Sequence, residues 1–203
     1  SIIHPKNSTM YSIILFPILC LLGLVSACAA PEAKDSPFAA VYTAIFDKGI
    51  LGTVVFWSLN GYVSVGVALT NLPSRGGPFM YHVHQQKVTG GSCASTQGHF
   101  NPYCGVLNAP SQAEFEVGDL SGKHGMIRGT STAVSYEDRY LSLNPRNRAF
   151  IGNLSIVIHL ANGDRIACAN IERILSPLTG AQAEAAKAAQ QLDLPPQVAN
   201  LVT

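Results

Sequence analysis

From Val41 to Ile174 the chain is a succession of short β-rich runs separated by turn residues. Thr53-Val54-Val55-Phe56-Trp57 leads to Asn60-Gly61, a dipeptide suited to the positive φ of a tight hairpin turn. Tyr62–Leu69 then carries Val63, Val65 and Val67 on alternate positions, the period of a strand with one buried face. Further runs lie at Phe79–Val83, Glu114–Val117, Ser131–Val134, Leu154–His159 and Arg165–Ile171, while Ser121–Arg128 and Ser135–Asn147 read as loops. Many short strands at this spacing predict an all-β sandwich or barrel.

The ends have a different character. Tyr11–Ala30 contains no charged residue and closes on Ser26-Ala27-Cys28-Ala29-Ala30, followed by Pro31-Glu32-Ala33-Lys34-Asp35. An apolar stretch with a small-residue end predicts a secretory signal cleaved near Ala29 or Ala30. The run is nearly long enough to span a bilayer, but Pro17 and the small residues favour cleavage over an anchor. Residues 1–30 are therefore assigned to a leader, 36–176 to the folded domain and 177–203 to a tail. Within the tail, Gly180–Leu192 is rich in Ala, Gln, Glu and Lys, which predicts a short helix ending before Pro195-Pro196. Val198–Thr203 lacks the apolar stretch that a lipid-anchor signal requires.

At 203 residues the chain can build one domain with a full core. Its net charge of +1, with 12% charged residues, provides no basic field for nucleic acid. Cleavage at Ala30 would remove Cys20 and Cys28 and leave Cys93, Cys104 and Cys168 in an oxidising compartment.

Chemistry enters through the histidines. His82 and His84 form an H-x-H pair, which strand geometry places on one face within reach of one ion. His99 opens His99-Phe100-Asn101-Pro102, and His159 ends the apolar run Leu154–Ile158. A set of neutral imidazoles without thiolate suits redox copper better than structural zinc.

The strings carrying these residues resemble the Cu/Zn superoxide dismutases. They are Tyr81-His82-Val83-His84, Cys93 with His99-Phe100-Asn101-Pro102, Glu116-Val117-Gly118-Asp119-Leu120, and Ile156-Val157-Ile158-His159 before Gly163-Asp164-Arg165-Ile166-Ala167-Cys168. The resemblance covers about Val41 to Ile174 and implies a Greek-key β-sandwich with copper on His82, His84, His99 and His159. It further implies that His99 lets go of the metal on reduction, that Arg165 guides the superoxide anion, and that Cys93 pairs with Cys168. Cys104 is left over, a free or blocked thiol.

Two departures from the zinc-binding members narrow the resemblance. Pro102–Phe115 contains no histidine, and Glu116 stands where the last zinc histidine precedes V-G-D-L. Only Asp119 remains of that ligand set, too few donors for a tetrahedral zinc site. Only five residues separate His159 from Arg165, where zinc members have a long charged loop. Both losses, with Gly122-Lys123-His124-Gly125, are similar to the fungal extracellular copper-only superoxide dismutases. That branch implies a secreted enzyme with one copper and no zinc, converting superoxide to dioxygen and hydrogen peroxide, without a membrane span after cleavage and with possible cell-wall association. Glu116 is the candidate to orient His99, since ligating imidazoles usually donate their other N–H to a carboxylate or carbonyl. Asp119 is expected to hold the loop around His99 or Lys123, and His124 is read as structural. A secreted copper buffer without turnover is the alternative; a surface domain with a vestigial site would show damaged ligands.

Overall fold

The computed structural model describes residues 28–174. Its strands are β1 (Val41–Lys48), β2 (Ile50–Trp57), β3 (Val63–Thr70), β4 (Met80–His84), β5 (Thr132–Asp138), β6 (Ser155–His159), β7 (Arg165–Asn170) and β8 (Glu172–Arg173). A single-turn helix, α1, spans Leu120–His124. One sheet has the order β5-β3-β2-β1-β8 and the other β4-β6-β7, with antiparallel pairing throughout. The chain leaves the first sheet after β3, starts the second with β4, and returns to the edge of the first with β5, the Greek-key connection the resemblance implied.

The core lies between the sheets. Val54, Phe56, Val63, Val65, Val67 and Leu69 face Tyr81, Val83, Ile156 and Ile158, all at most 2% exposed. Each such side chain contributes about 1.5–3 kcal/mol by leaving water. The β2–β3 hairpin turns at the predicted Asn60-Gly61, where Gly61 has φ +95.

Three element assignments change in the structure. Glu114–Val117 is not a strand: it carries a single bridge, Val106 to Phe115, because the chain there passes between β4 and the His99 segment instead of joining a sheet. The stretch read as a loop at Ser121–Arg128 begins with α1, capped where Gly122 N donates to Asp119 Oδ1 at 2.7 Å. Strand β5 continues to Asp138, past the predicted Val134, because an edge strand needs only one partner and little apolar alternation. Strand β1 is covered on both faces at its start, Tyr42 and Ala44 by the main core and Val41 by Val55 and Trp57, while Ile45 farther along is exposed.

The cysteine assignment is corrected as well. Cys93 pairs with Cys168, and Cys104 is not free but bonded to Cys28. Cys28 therefore belongs to the folded domain and not to the leader. The residues after it are also part of the fold: Ala30 and Ala33 are buried, and their N–H groups donate to Ala113 O and Arg139 O at 2.7 Å. The rest of the leader, and the tail helix at Gly180–Leu192, lie outside the described residues.

Candidate metal centre

His82 and His84 point from β4 to the same side, as their spacing predicts. Strand β6 pairs with β4 so that His159 lies opposite Met80, Val157 opposite His82 and Ser155 opposite His84, which puts the His159 ring on the side of the pair. His99 joins by a bridge to His84, held where Phe100 N donates to Val83 O at 2.9 Å and Gln85 N to Gly98 O at 3.0 Å. One ring nitrogen from each of His82, His84, His99 and His159 lies within 4.8 Å of the others. His82, His84 and His159 are at most 4% exposed, whereas the His99 side chain is 25% exposed.

Hydrogen bonds outside the cluster decide which nitrogen faces in. His84 Nδ1 donates to Gln97 O at 2.8 Å and His159 Nδ1 to Gly163 O at 2.9 Å. His99 Nδ1 lies 2.6 Å from Glu116 Oε2. Each of these three rings thereby turns Nε2 and its lone pair inward. His82 is reversed: its Nε2 lies 3.4 Å from Asp119 Oδ1, and its Nδ1 is buried with no hydrogen-bond partner. His84 Nε2 and His159 Nε2 face each other at 3.2 Å. Burial holds the His84 imidazole down to about 3 and that of His159 to about 4, and burial also lowers His82 against the pull of Asp119. Neutral rings whose lone pairs converge without a donor between them fit a soft-to-borderline cation that takes nitrogen ligands, as copper does.

The two carboxylates are already engaged. Glu116 Oε1 also accepts from Asn101 Nδ2 at 3.3 Å. Asp119 caps α1, the turn that carries Lys123, with Lys123 N donating to Asp119 O at 3.3 Å, and its carboxylate also faces His82, while the Lys123 ammonium pairs with Asp138. Burial would raise the Asp119 carboxyl, but the His82 ring and the Gly122 N–H stabilise the anion and hold it below its ordinary value. His124, read as structural, donates Nε2–H to Asp138 at 2.8 Å and stacks on Tyr136.

The cluster opens into a cleft of about 610 Å³, whose rim includes Leu107, Asn108, Met126 and Arg165. Arg165 Nη1 donates to Cys93 O at 2.7 Å and Ala94 O at 3.3 Å, and Nη2 donates to Gln97 O. These carbonyls lie in the turn tied to β7 by the Cys93–Cys168 bond, so the guanidinium is fixed at the mouth. Sequence reasoning did not identify the carbonyls of Gln97 and Gly163 that set the ring orientations, because backbone acceptors leave no signature in residue type.

The family model for copper/zinc superoxide dismutase matches residues 50–171. The chain is 48% identical over 160 residues to the cell surface Cu-only superoxide dismutase 5 of Candida albicans, an alignment covering 76% of this chain and 70% of that protein. It is 44% identical over 160 residues to the cell surface Cu-Zn superoxide dismutase 4 of the same organism, covering 76% and 69%. The solved Cu(II) structure of Candida albicans superoxide dismutase 5 matches with a TM-score of 0.67 at 47% identity, over 70% of this chain and 97% of that one.

Proposed function

The chain belongs to the copper/zinc superoxide dismutase family, and from that premise we propose that it is an extracellular superoxide dismutase with one copper on His82, His84, His99 and His159 and no zinc. The observation that carries this reading is the convergence of ring nitrogens whose opposite sides are already committed to Gln97, Gly163, Glu116 and Asp119. Bound there, copper supplies one-electron oxidation of one superoxide to dioxygen and reduction of a second, with two protons, to hydrogen peroxide.

The protein's own groups have separable tasks. His82, His84 and His159 are buried and would hold the metal in both oxidation states. His99 is the exposed member, with only Glu116 behind it, so it has the freedom to move that the others lack. The Glu116 carboxylate keeps the proton on His99 Nδ1 and the other nitrogen free. Arg165 presents a fixed positive charge to an incoming anion, a feature for which a copper store has no use. Turnover is therefore favoured over buffering.

The absence of zinc is supported by the use of the available carboxylates. Glu116 is shared between His99 and Asn101, and Asp119 between Gly122 and His82, so neither is left over to build a second site. Export is supported by the two disulfides and by relatives named for the cell surface. Among the described residues no helix is long and apolar enough to cross a membrane. Cell-wall association is part of the same reading.

Metal analysis tests it. Protein refolded with copper and zinc together should retain about one copper per chain and dismute superoxide. Stoichiometric zinc surviving a mild chelator would overturn the copper-only reading.

A further inference from the structure

Beneath the metal centre lies an ion pair that the chemistry above does not use. Lys123 Nζ is 2.6 Å from Asp138 Oδ2, and both side chains are 0% exposed. Asp138 is the last residue of β5, at the edge of the larger sheet, whereas Lys123 sits on α1, which packs on β4 of the smaller one. The carboxylate is anchored on its own side, where Oδ1 accepts from Tyr140 N at 2.9 Å and Leu141 N at 3.1 Å, and Oδ2 accepts a second bond from α1, from His124 Nε2 at 2.8 Å.

The ammonium makes one further bond, from Nζ to Val117 O at 2.8 Å. Val117 stands between Glu116, which orients His99, and Gly118-Asp119, which faces His82. This segment threads between the ligand-bearing strings: Val83 N donates to Gly118 O at 2.9 Å and Gly118 N to Phe100 O at 2.8 Å. The fit leaves no room for a side chain at 118, where a Cβ would collide with the Val83 carbonyl. On the other side Ser121 Oγ donates to Tyr81 O at 3.0 Å, next to His82. The Val117 carbonyl is thus linked through the Lys123 ammonium to Asp138 on the opposite sheet, and it lies in the segment carrying both carboxylates.

Resting on the copper reading above, we propose that Lys123 and Asp138 are positioning residues for the metal centre: the buried pair grips the Val117 carbonyl and so sets where Glu116 and Asp119 hold His99 and His82. Removing two charges from water is costly, and neutral groups of similar volume often give equal or greater stability. The pair therefore acts through the geometry it imposes, a carbonyl fixed by a cation that is itself fixed by a carboxylate.

The test uses the full chain, copper-loaded. In Lys123→Met/Asp138→Asn the charges vanish together, the volume is kept, and the side-chain amide oxygen at position 138 still accepts from Tyr140 and Leu141. The metal-free variant should unfold within a few degrees of the metal-free parent. Its Cu(II) electron paramagnetic resonance spectrum should change, and copper should be lost to a competing chelator at about tenfold lower chelator concentration, the scale of other groups that orient ligands. Should the double variant not accumulate, Lys123→Met alone, which leaves the Asp138 carboxylate its bonds from His124, Tyr140 and Leu141, gives the same measurements. A variant with parental spectrum and parental copper affinity overturns the positioning role, whatever its unfolding temperature. A parent that takes up no copper overturns the reading of the site itself, a distinguishable failure.

Discussion

Nδ1 of His99 lies 2.6 Å from Oε2 of Glu116, and this contact decides which nitrogen of the most exposed ring in the cluster faces the metal position. Glu116→Gln keeps the shape but loses the charge and can present its amide N–H to the ring. Copper affinity should fall about 10- to 100-fold, with the β-sheet circular dichroism unchanged. Chelator competition measures the affinity; parental retention and turnover would assign the orientation of His99 to another group.

Arg165 is held by backbone carbonyls and has no carboxylate within ion-pair distance among the described residues, so its charge is not cancelled locally. Arg165→Ala should cut the second-order rate by roughly one order of magnitude at unchanged copper content. Arg165→Glu should cut it further by repulsion, and Arg165→Lys should fall between alanine and the parent. The alanine variant should also depend less on ionic strength. Pulse radiolysis across a salt series measures all of these, and equal rates in all variants would remove Arg165 as the anion guide.

The Cys28–Cys104 bond closes a separation of 76 residues and ties the end of the apolar run to the chain just after His99-Phe100-Asn101-Pro102. Mapping of unreduced secreted protein should yield a cross-linked peptide pair containing both cysteines, so the mature N-terminus should lie at or before Cys28. Cys104→Ser should lower unfolding free energy by about 2–4 kcal/mol. An N-terminus beyond Cys28 would contradict the bond.

Asp138 gives the fold a predictable response to acid. Burial alone would raise its carboxyl, but the Lys123 ammonium and the His124 hydrogen bond outweigh that and hold it well below the usual carboxylate range. For a depressed carboxyl the stabilisation is fully present above the unfolded value near ~4 and is lost as pH falls from there toward the folded value. Below about pH 4 the parent should lose up to ~1.4 kcal/mol of stability per pH unit more than Asp138→Asn, while the two should run parallel above about pH 5. Urea unfolding from about pH 2 to 7 measures the slopes; identical slopes would mean that Asp138 does not titrate as argued.

Several features depend on local order in the chain and could be read from it. Val63, Val65 and Val67 alternate because one face of β3 meets the core, and His82 and His84 share a side because a strand repeats every two residues. His159 marks the end of an apolar strand, and the short spacing to Arg165 leaves room only for a tight turn. These are consequences of backbone periodicity and side-chain chemistry, which act over a few residues.

The rest came from contacts between distant positions. Cysteine counting cannot assign partners, so the bond from Cys28 to Cys104 emerged only from the packing of Cys28–Ala33 on the domain, and it moved Cys28 into the domain. Lys123 and Asp138 lie on an apparent loop and on a polar edge strand, and neither carries a signal of burial until the two sheets close over them. The inward nitrogen of each imidazole was likewise undetermined, because the acceptors that orient His84 and His159 are backbone carbonyls of Gln97 and Gly163. Residue type specified which groups could bind a metal; the packing of the sheets specified which lone pairs meet, because direction is set by the partner on the far side of each ring.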